Sequence, residues 1–317
     1  MSITPEQLES VRRGLSPLVF DFMRDDADKT TVEALYLSHY SLDLPPELTG
    51  IKHYLGYLPT RGFQLATQYW LPEKPHGTYF VAHGYFDHSG LYGHLIHHLL
   101  SLNYAVVAFD LPGHGLSSGE RVTIESFDHY VDVFSDLLHR CDTHFPKPWK
   151  AVGQSTGGAI LLKYLLAAKS HHYHNDLADI TVLAPLVHPE SWKKILKTYK
   201  FIHRFRKKIK RKPKVNTSND EFNKFLENDD PLQENYIPIE WISSMKRWTE
   251  EFAALPPSDY PLKVVQGDCD RTVAWQHNMG ELSKKFCNIV LEVIPGAQHH
   301  LVNEELQIRN KVFKNIN

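Results

Sequence analysis

The chain has 317 residues, is 42% hydrophobic and 23% charged, and carries a formal net charge of −2; this is the make-up of a globular protein able to bury one large core. No run of about 18 apolar residues occurs, which excludes a spanning helix, and the start Met1-Ser2-Ile3-Thr4-Pro5 lacks the basic and apolar regions of a secretory signal. Three scattered cysteines, Cys141, Cys269 and Cys287, suit reduced thiols in a cytoplasm rather than a disulfide framework.

In chain order, residues 1–48 read as an N-terminal extension of short helices packed on the main domain, with Thr4-Pro5 as a helix start. Two β-prone runs, 51–58 and 63–71, are joined at Pro59-Thr60-Arg61-Gly62 and predict an antiparallel hairpin. A strand over 77–83, a helix over 91–102, a strand over 104–110 and a helix over 126–144 follow. A strand over 149–154 runs into a helix over 157–168, and the next strand spans 180–186. Strands at 262–266 and 288–294 flank a helix at 276–286, and a last helix starts near Leu301. This alternation predicts an α/β fold: a mostly parallel central sheet, helices on both faces, and ligand chemistry at the carboxyl ends of the strands. The alternation fails only over 187–257, which reads as an inserted helical cap dividing the core into 49–186 and 258–317.

The chemistry centres on Gly153-Gln154-Ser155-Thr156-Gly157, between an apolar strand and a helix. A serine on such a turn is held in a strained conformation, and side chains two before and two after it would strike neighbouring backbone, so glycines are required there. The pattern occurs a second time, as Gly115-Leu116-Ser117-Ser118-Gly119. Pro112 and the surrounding glycines prescribe a loop at that copy, and no helix follows directly, so Ser155 is the expected nucleophile and Ser117 a loop residue.

A serine needs a base, and the base an orienting carboxylate; the expected chain order is Ser, Asp/Glu, His. Two loops after strands qualify. In Gly267-Asp268-Cys269-Asp270, Asp268 and Asp270 compete; in Gly296-Ala297-Gln298-His299-His300, the two histidines compete. Oxyanion stabilisation needs two backbone donors. Thr156 supplies one, and Tyr85, in the loop after 78–82 where Gly84 permits close approach, supplies the other. His83 reads as a brace for that loop. No metal spacing such as His-Glu-x-x-His occurs, the group His171, His172 and His174 reads as a solvated loop, and neither metal nor cofactor is expected.

Six motifs in order, His83-Gly84-x-x-Asp87-His88-Ser89, Asp110-x-Pro-Gly113-His114-Gly115-x-Ser117-x-Gly119, Gly153-Gln-Ser155-Thr-Gly157-Gly158, Asp230-Pro231-Leu232, Gly267-x-x-Asp270 and Gly296-Ala-x-His299, resemble the monoacylglycerol lipase and lysophospholipase branch of the α/β-hydrolase superfamily. The match runs from about residue 51 to the C-terminus. The resemblance implies the α/β-hydrolase fold and a triad of Ser155, Asp270 and His299. Asp87 stands where relatives often carry Glu, a conservative departure.

The expected activity is hydrolysis of a single-chain lipid ester, a monoacylglycerol or a lysophospholipid, through an acyl-enzyme. Carboxylesterase, thioesterase and proline-type aminopeptidase activities use the same triad. A catalytically silent binding module is the reading from another class, and the complete triad argues against it.

Twelve Lys/Arg and no Asp/Glu lie between Lys193 and Lys214, so the remainder of a chain of net −2 stands at −14. Trp192, Ile195, Leu196, Tyr199, Ile202, Phe205 and Ile209 fall on one face of a single predicted helix. This basic stretch, 193–214, is read either as a solvated helix on an acidic body or as an amphipathic helix meeting anionic membrane, which would make a cytoplasmic protein peripheral on the inner membrane surface. No nucleic-acid-binding fold is recognisable.

Overall fold

The computed structural model describes residues 3–20, 31–171, 177–212 and 214–316. Helix α1 (Pro5–Gly14) starts at a capping box in which Gln7 N–H donates to Thr4 Oγ1 and Thr4 N–H to Gln7 Oε1; α2 (Thr31–His39) follows it. Strands β1 (Lys52–Thr60) and β2 (Phe63–Leu71) pair antiparallel across Arg61 and Gly62, whose φ values of 47° and 84° are those of a two-residue hairpin turn. Then come β3 (Thr78–Ala82), α3 (Gly93–Ser101), β4 (Ala105–Phe109), α4 (Phe127–Cys141), β5 (Trp149–Gln154), α5 (Thr156–His171) and β6 (Leu177–Leu183).

Between β6 and β9 (Leu262–Gly267) lie α6 (Trp192–Ile202), the short pair β7 (Lys208–Lys210) and β8 (Tyr236–Pro238) with α7 (Asp220–Asn228) between them, and α8 (Ile239–Ala254). The chain closes with α9 (Trp275–Lys285), β10 (Ile289–Ile294) and α10 (Leu306–Phe313). The main sheet has the order β1-β2-β4-β3-β5-β6-β9-β10. Its pairings are parallel from β4 to β10, and β2 alone among these strands runs the other way. This is the mostly parallel α/β-hydrolase architecture.

The central strands are buried on both faces, and their side chains alternate between two cores. Phe80, Val107, Ala151 and Val182 pack with α4, α5, α8 and α9; Tyr79, Val81, Val106 and Val152 pack with α1, α2, α3 and α10. Helix α8 is held close to the turn at Ser155: Trp248 Nε1 donates to Leu186 O at 2.9 Å, and its ring stacks on Phe127. The buried Lys163 of α5 bridges Asp128 of α4 and Glu251 of α8.

The single basic helix expected over 192–209 is not formed. The helix stops at Ile202, where His203 Nδ1 lies 3.0 Å from Tyr199 O and 3.2 Å from Lys200 O and occupies its last carbonyls. Beyond the turn, Lys208–Lys210 pair with Tyr236–Pro238, and Ile239 N–H donates to Lys207 O. Ile209 therefore packs from a strand, and Phe205 stands 85% exposed. Like charges four apart, as at Lys200 and Arg204, Arg204 and Lys208, and Arg206 and Lys210, weaken a helix, and cross-strand pairing with a distant segment supplies the backbone partners instead. The expected last helix is likewise divided, into a 3-10 turn over Leu301–Asn303 and α10.

Candidate active site

Ser155 sits between β5 and α5 with φ 51° and is 7% exposed. Its N–H donates to Leu183 O at 2.8 Å, and its carbonyl accepts from Ala159 and Leu186, so the strained turn is tied to β6, to the residues just after it and to the first turn of α5. The glycines are steric necessities. A Cβ on Gly153 would lie 2.6 Å from the carbonyl carbon of Gly157, and one on Gly157 would lie 2.1 Å from Ala82 O.

His299 follows β10 and Asp270 follows β9. His299 Nδ1 donates to Asp270 Oδ2 at 2.8 Å, which leaves Nε2 as the free acceptor. Asp270 Oδ1 accepts the N–H groups of Thr272 at 2.7 Å and Val273 at 3.1 Å, and Oδ2 also accepts from Gln266 Nε2 at 3.0 Å. Burial opposes the charge on Asp270, but His299 and these backbone donors outweigh it and hold the carboxyl below its ordinary value. Burial likewise opposes a charged imidazole; the Asp270 carboxylate outweighs it, and the His299 pKa is raised. Among the described residues no hydrogen bond joins Ser155 Oγ to His299, a common state of such sites without ligand.

The loop after β3 comes close to the serine: a Cβ on Gly84 would lie 3.4 Å from Ser155 Cβ. The N–H groups of Tyr85 and Thr156 donate to no acceptor among the described residues. Tyr85 is fixed by its side chain, whose hydroxyl donates to Val122 O at 2.7 Å and whose ring stacks on Trp241 of α8 at 3.7 Å. His83 braces this loop, as expected. Leu111 N–H donates to its Nε2 at 2.8 Å, so Nδ1 carries the proton and donates to Gly84 O at 2.7 Å.

The family model described as serine aminopeptidase S33 matches residues 73–306. Human monoglyceride lipase is 30% identical over 275 residues, which cover 81% of this chain and 86% of that protein. A monoglyceride lipase homolog of Monkeypox virus is 26% identical, covering 78% and 91%. Among solved structures, a soluble variant of the monoglyceride lipase of Saccharomyces cerevisiae with a substrate analog superposes with a TM-score of 0.72 at 19% identity, covering 86% of this chain and 96% of that one. The chain belongs to the serine aminopeptidase S33 family of α/β-hydrolases, in its monoacylglycerol lipase-like branch. It is an ester hydrolase.

The hydrolase's competing residues have other partners. Ser117 is buried, and its hydroxyl donates to Asp110 O and accepts from Ala66 N–H, pinning the loop to β2. Asp268 Oδ1 accepts Gly296 N–H at 2.7 Å and so fixes the turn before His299. His300 Nε2 lies 3.3 Å from Asp87 Oδ2. Asp87 Oδ2 also accepts from Tyr92 OH, which in turn accepts Gly84 N–H, each at 3.0 Å. Asp87 is a brace of the loop that carries Tyr85. The group His171, His172 and His174 lies outside the residues whose side chains are described.

Four residues that position the site carry no role in the sequence reading, although two of them, Gln154 and Asp230, stand inside its motifs. Gln154 Nε2 donates to His299 O at 2.6 Å, locking the two loops together. Gln266 holds Asp270. Asn216, from the segment between α6 and α7, accepts the N–H groups of both His299 and His300 on its carbonyl. Asp230 of the Asp-Pro-Leu motif, buried, accepts from Tyr40 OH at 2.8 Å and Gln233 Nε2 at 2.8 Å and pairs with His88 at 3.3 Å. Gln154 lies inside one motif and Gln266 directly before another, but nothing in a sequence states which way an amide points. The histidine partners of Asn216 and the Tyr40 and His88 partners of Asp230 are more than 80 positions away.

Proposed function

We propose that the hydrolase cleaves carboxylic esters of single-chain lipids, monoacylglycerols or lysophospholipids, by way of an acyl-enzyme. Ser155 attacks the carbonyl, His299 Nε2 takes its proton and passes it to the leaving alcohol, and Asp270 holds the imidazole in the required tautomer. The N–H groups of Tyr85 and Thr156 receive the oxyanion. The observation that carries this reading is the 2.8 Å pair of Asp270 and His299, held by Gln154 beside a serine whose φ is 51°. The lipid substrate is supported by the likeness to human monoglyceride lipase. Residues 187–257 act as the cap over this site. A panel of monoacylglycerols, lysophospholipids and p-nitrophenyl esters tests the reading; turnover of none of them overturns it.

The pH profile is a second check. His299 must be neutral to act as base, and its pKa is raised by Asp270. The acid limb of kcat/KM on a soluble ester is therefore expected above about 6.5, the ordinary imidazole value. A limb well below that value argues against His299 as the base.

A peripheral membrane contact is favoured by one feature of the end of α6 and the turn after it. Phe201 and Phe205 are 79% and 85% exposed. They are surrounded by exposed Lys197, Lys200, Arg204, Arg206 and Lys207. Aromatic side chains among cations suit the interface of an anionic bilayer, where each cation contributes roughly 1 kcal/mol within about 10 Å of the surface. The buried face of α6, by contrast, packs on the core. Replacing Lys197, Lys200, Arg204 and Lys207 with Gln is expected to lower co-sedimentation with anionic vesicles at least about tenfold and to spare hydrolysis of a soluble ester. Equal co-sedimentation of the parent and the variant returns the segment to a solvated surface.

A further inference from the structure

We propose that Arg211 and Lys214 form an anion subsite that receives the phosphate of a single-chain phospholipid's head group next to the reacting ester. The inference rests on the serine-hydrolase reading and narrows its substrate class from two to one.

The leaving alcohol takes its proton from the histidine, so the head group must lie on the His299 side of the serine. The backbone there is 214–218. Asn216 O accepts His299 N–H at 3.0 Å and His300 N–H at 2.8 Å, and Asn216 Oδ1 accepts the hydroxyl of Thr272 at 3.0 Å. Glu304, fully buried, clamps the same stretch by accepting from Thr217 and Ser218. Lys214 Nζ donates to the carbonyl of Arg271, the residue after Asp270, at 3.3 Å. Its charge is one that His299 senses.

Arg211 arrives from the oxyanion side. Its guanidinium carbon lies 3.9 Å from the ring centre of Phe86, the residue after Tyr85, and Gln233 Nε2 donates to Phe86 O at 3.0 Å. Nη1 of Arg211 donates to Gln233 Oε1 at 2.8 Å and Glu234 O at 3.2 Å, both neutral acceptors. Among the described residues neither Arg211 nor Lys214 has a carboxylate within ion-pair distance. Burial lowers the Arg211 pKa, the sign of a cation partly stripped of water. Asp87 and Asp230 act on it only at a distance; a partly buried cation without a direct ion pair costs free energy, and an anionic ligand recovers it through charge-assisted, bidentate hydrogen bonds.

Both side chains line one open groove of about 810 Å³, with Lys210 and the amides of Asn216 and Asn235 beside them. Two carboxylates of its wall are already engaged, Glu234 by Arg121 and Asp230 by His88. Glu227 and Asp229, at the end of α7, remain. They oppose a bare phosphate and suit a phosphate that carries an ammonium group. A neutral glycerol head group would leave the half-buried Arg211 without a direct ion pair.

The test uses the full chain with Ser155→Ala, so that nothing turns over, and three probes: an ether-linked alkyl lysophosphatidylcholine, the matching alkylglycerol, and inorganic phosphate. Calorimetry below the micelle concentration is expected to show the phosphate-bearing lipid binding at least about tenfold more tightly than the alkylglycerol. Lys214→Gln and Arg211→Gln should each remove most of that preference, and Arg211→Lys should keep a good part of it, which separates loss of charge from misfolding. Equal affinity for the two lipids, or variants that weaken both equally, overturns the inference. Inorganic phosphate binding as tightly as the lipid also overturns it, in favour of a free-phosphate site. Labelling of the unsubstituted chain by a fluorophosphonate tests the parent reading separately: labelling without head-group preference sinks only the subsite, and no labelling sinks the serine reading.

Discussion

Ser155→Ala is expected to reduce ester hydrolysis by on the order of 10⁴–10⁶-fold and to leave the fold unchanged. The size follows from what is removed. Without the hydroxyl no acyl-enzyme forms, and only the oxyanion donors and substrate binding remain to accelerate attack by water. The fold is spared for reasons specific to this turn. Ser155 Oγ has no hydrogen-bond partner among the described residues, so no bond is lost. The turn is held by backbone groups, Ser155 N–H to Leu183 O and Ser155 O to Ala159 and Leu186. Alanine bears a φ of 51° at about the strain that serine already does. Steady-state rates on p-nitrophenyl esters, with thermal unfolding of the same preparation, decide the matter. Substantial activity in a purified, folded variant removes Ser155 from the mechanism. Ser117→Ala serves as the internal comparison, and it should act on stability instead, because it deletes two buried hydrogen bonds, to Asp110 and from Ala66.

The next largest effect is expected from Asp270→Asn, a loss of about 10⁴-fold in kcat. The new amide can still present its oxygen to the N–H groups of Thr272 and Val273. Its NH₂ then faces His299 Nδ1 and Gln266 Nε2, where an acceptor stood before. The imidazole answers by moving its proton to Nε2, and that atom can no longer take the serine's proton. Asp268→Asn keeps a carbonyl oxygen for Gly296 N–H. Its cost should stay within about tenfold, the worth of one neutral hydrogen bond. Measuring both variants on one soluble substrate separates them. A reversed order would move the orienting carboxylate from Asp270 to Asp268.

Much of this was legible in the residues because it is set locally. The period-two and period-3.6 patterns gave the alternation of strands and helices, and Arg61-Gly62 gave the hairpin. The glycines around Ser155 are demanded within five positions by the steric needs of the turn, and Pro112 with its glycines marked Ser117 as a loop residue for equally local reasons. Within each of the two loops, composition left two candidates. Asp268 and Asp270 are equivalent as sequence; the resemblance chose between them, and the fold set Asp270 against His299 and Asp268 against Gly296.

What only the tertiary structure decided is every partnership made across long stretches of chain. The apolar spacing from Trp192 to Ile209 is helical all the way, yet the helix ends at Ile202, because β8 offers Lys208–Lys210 backbone partners that a continued helix would have to forgo. The same return of the chain carries Arg211 to Phe86 and Lys214 to Arg271, so part of a basic run that looked uniform in sequence becomes groove wall while Phe201 and Phe205 stay in water. Asp230 meets Tyr40 and His88, and Asn216 meets His299, across separations of more than 80 residues. Sequence periodicity reports which face of an element is apolar. It carries no information about which distant segment covers that face, and here those segments position the groups around Ser155.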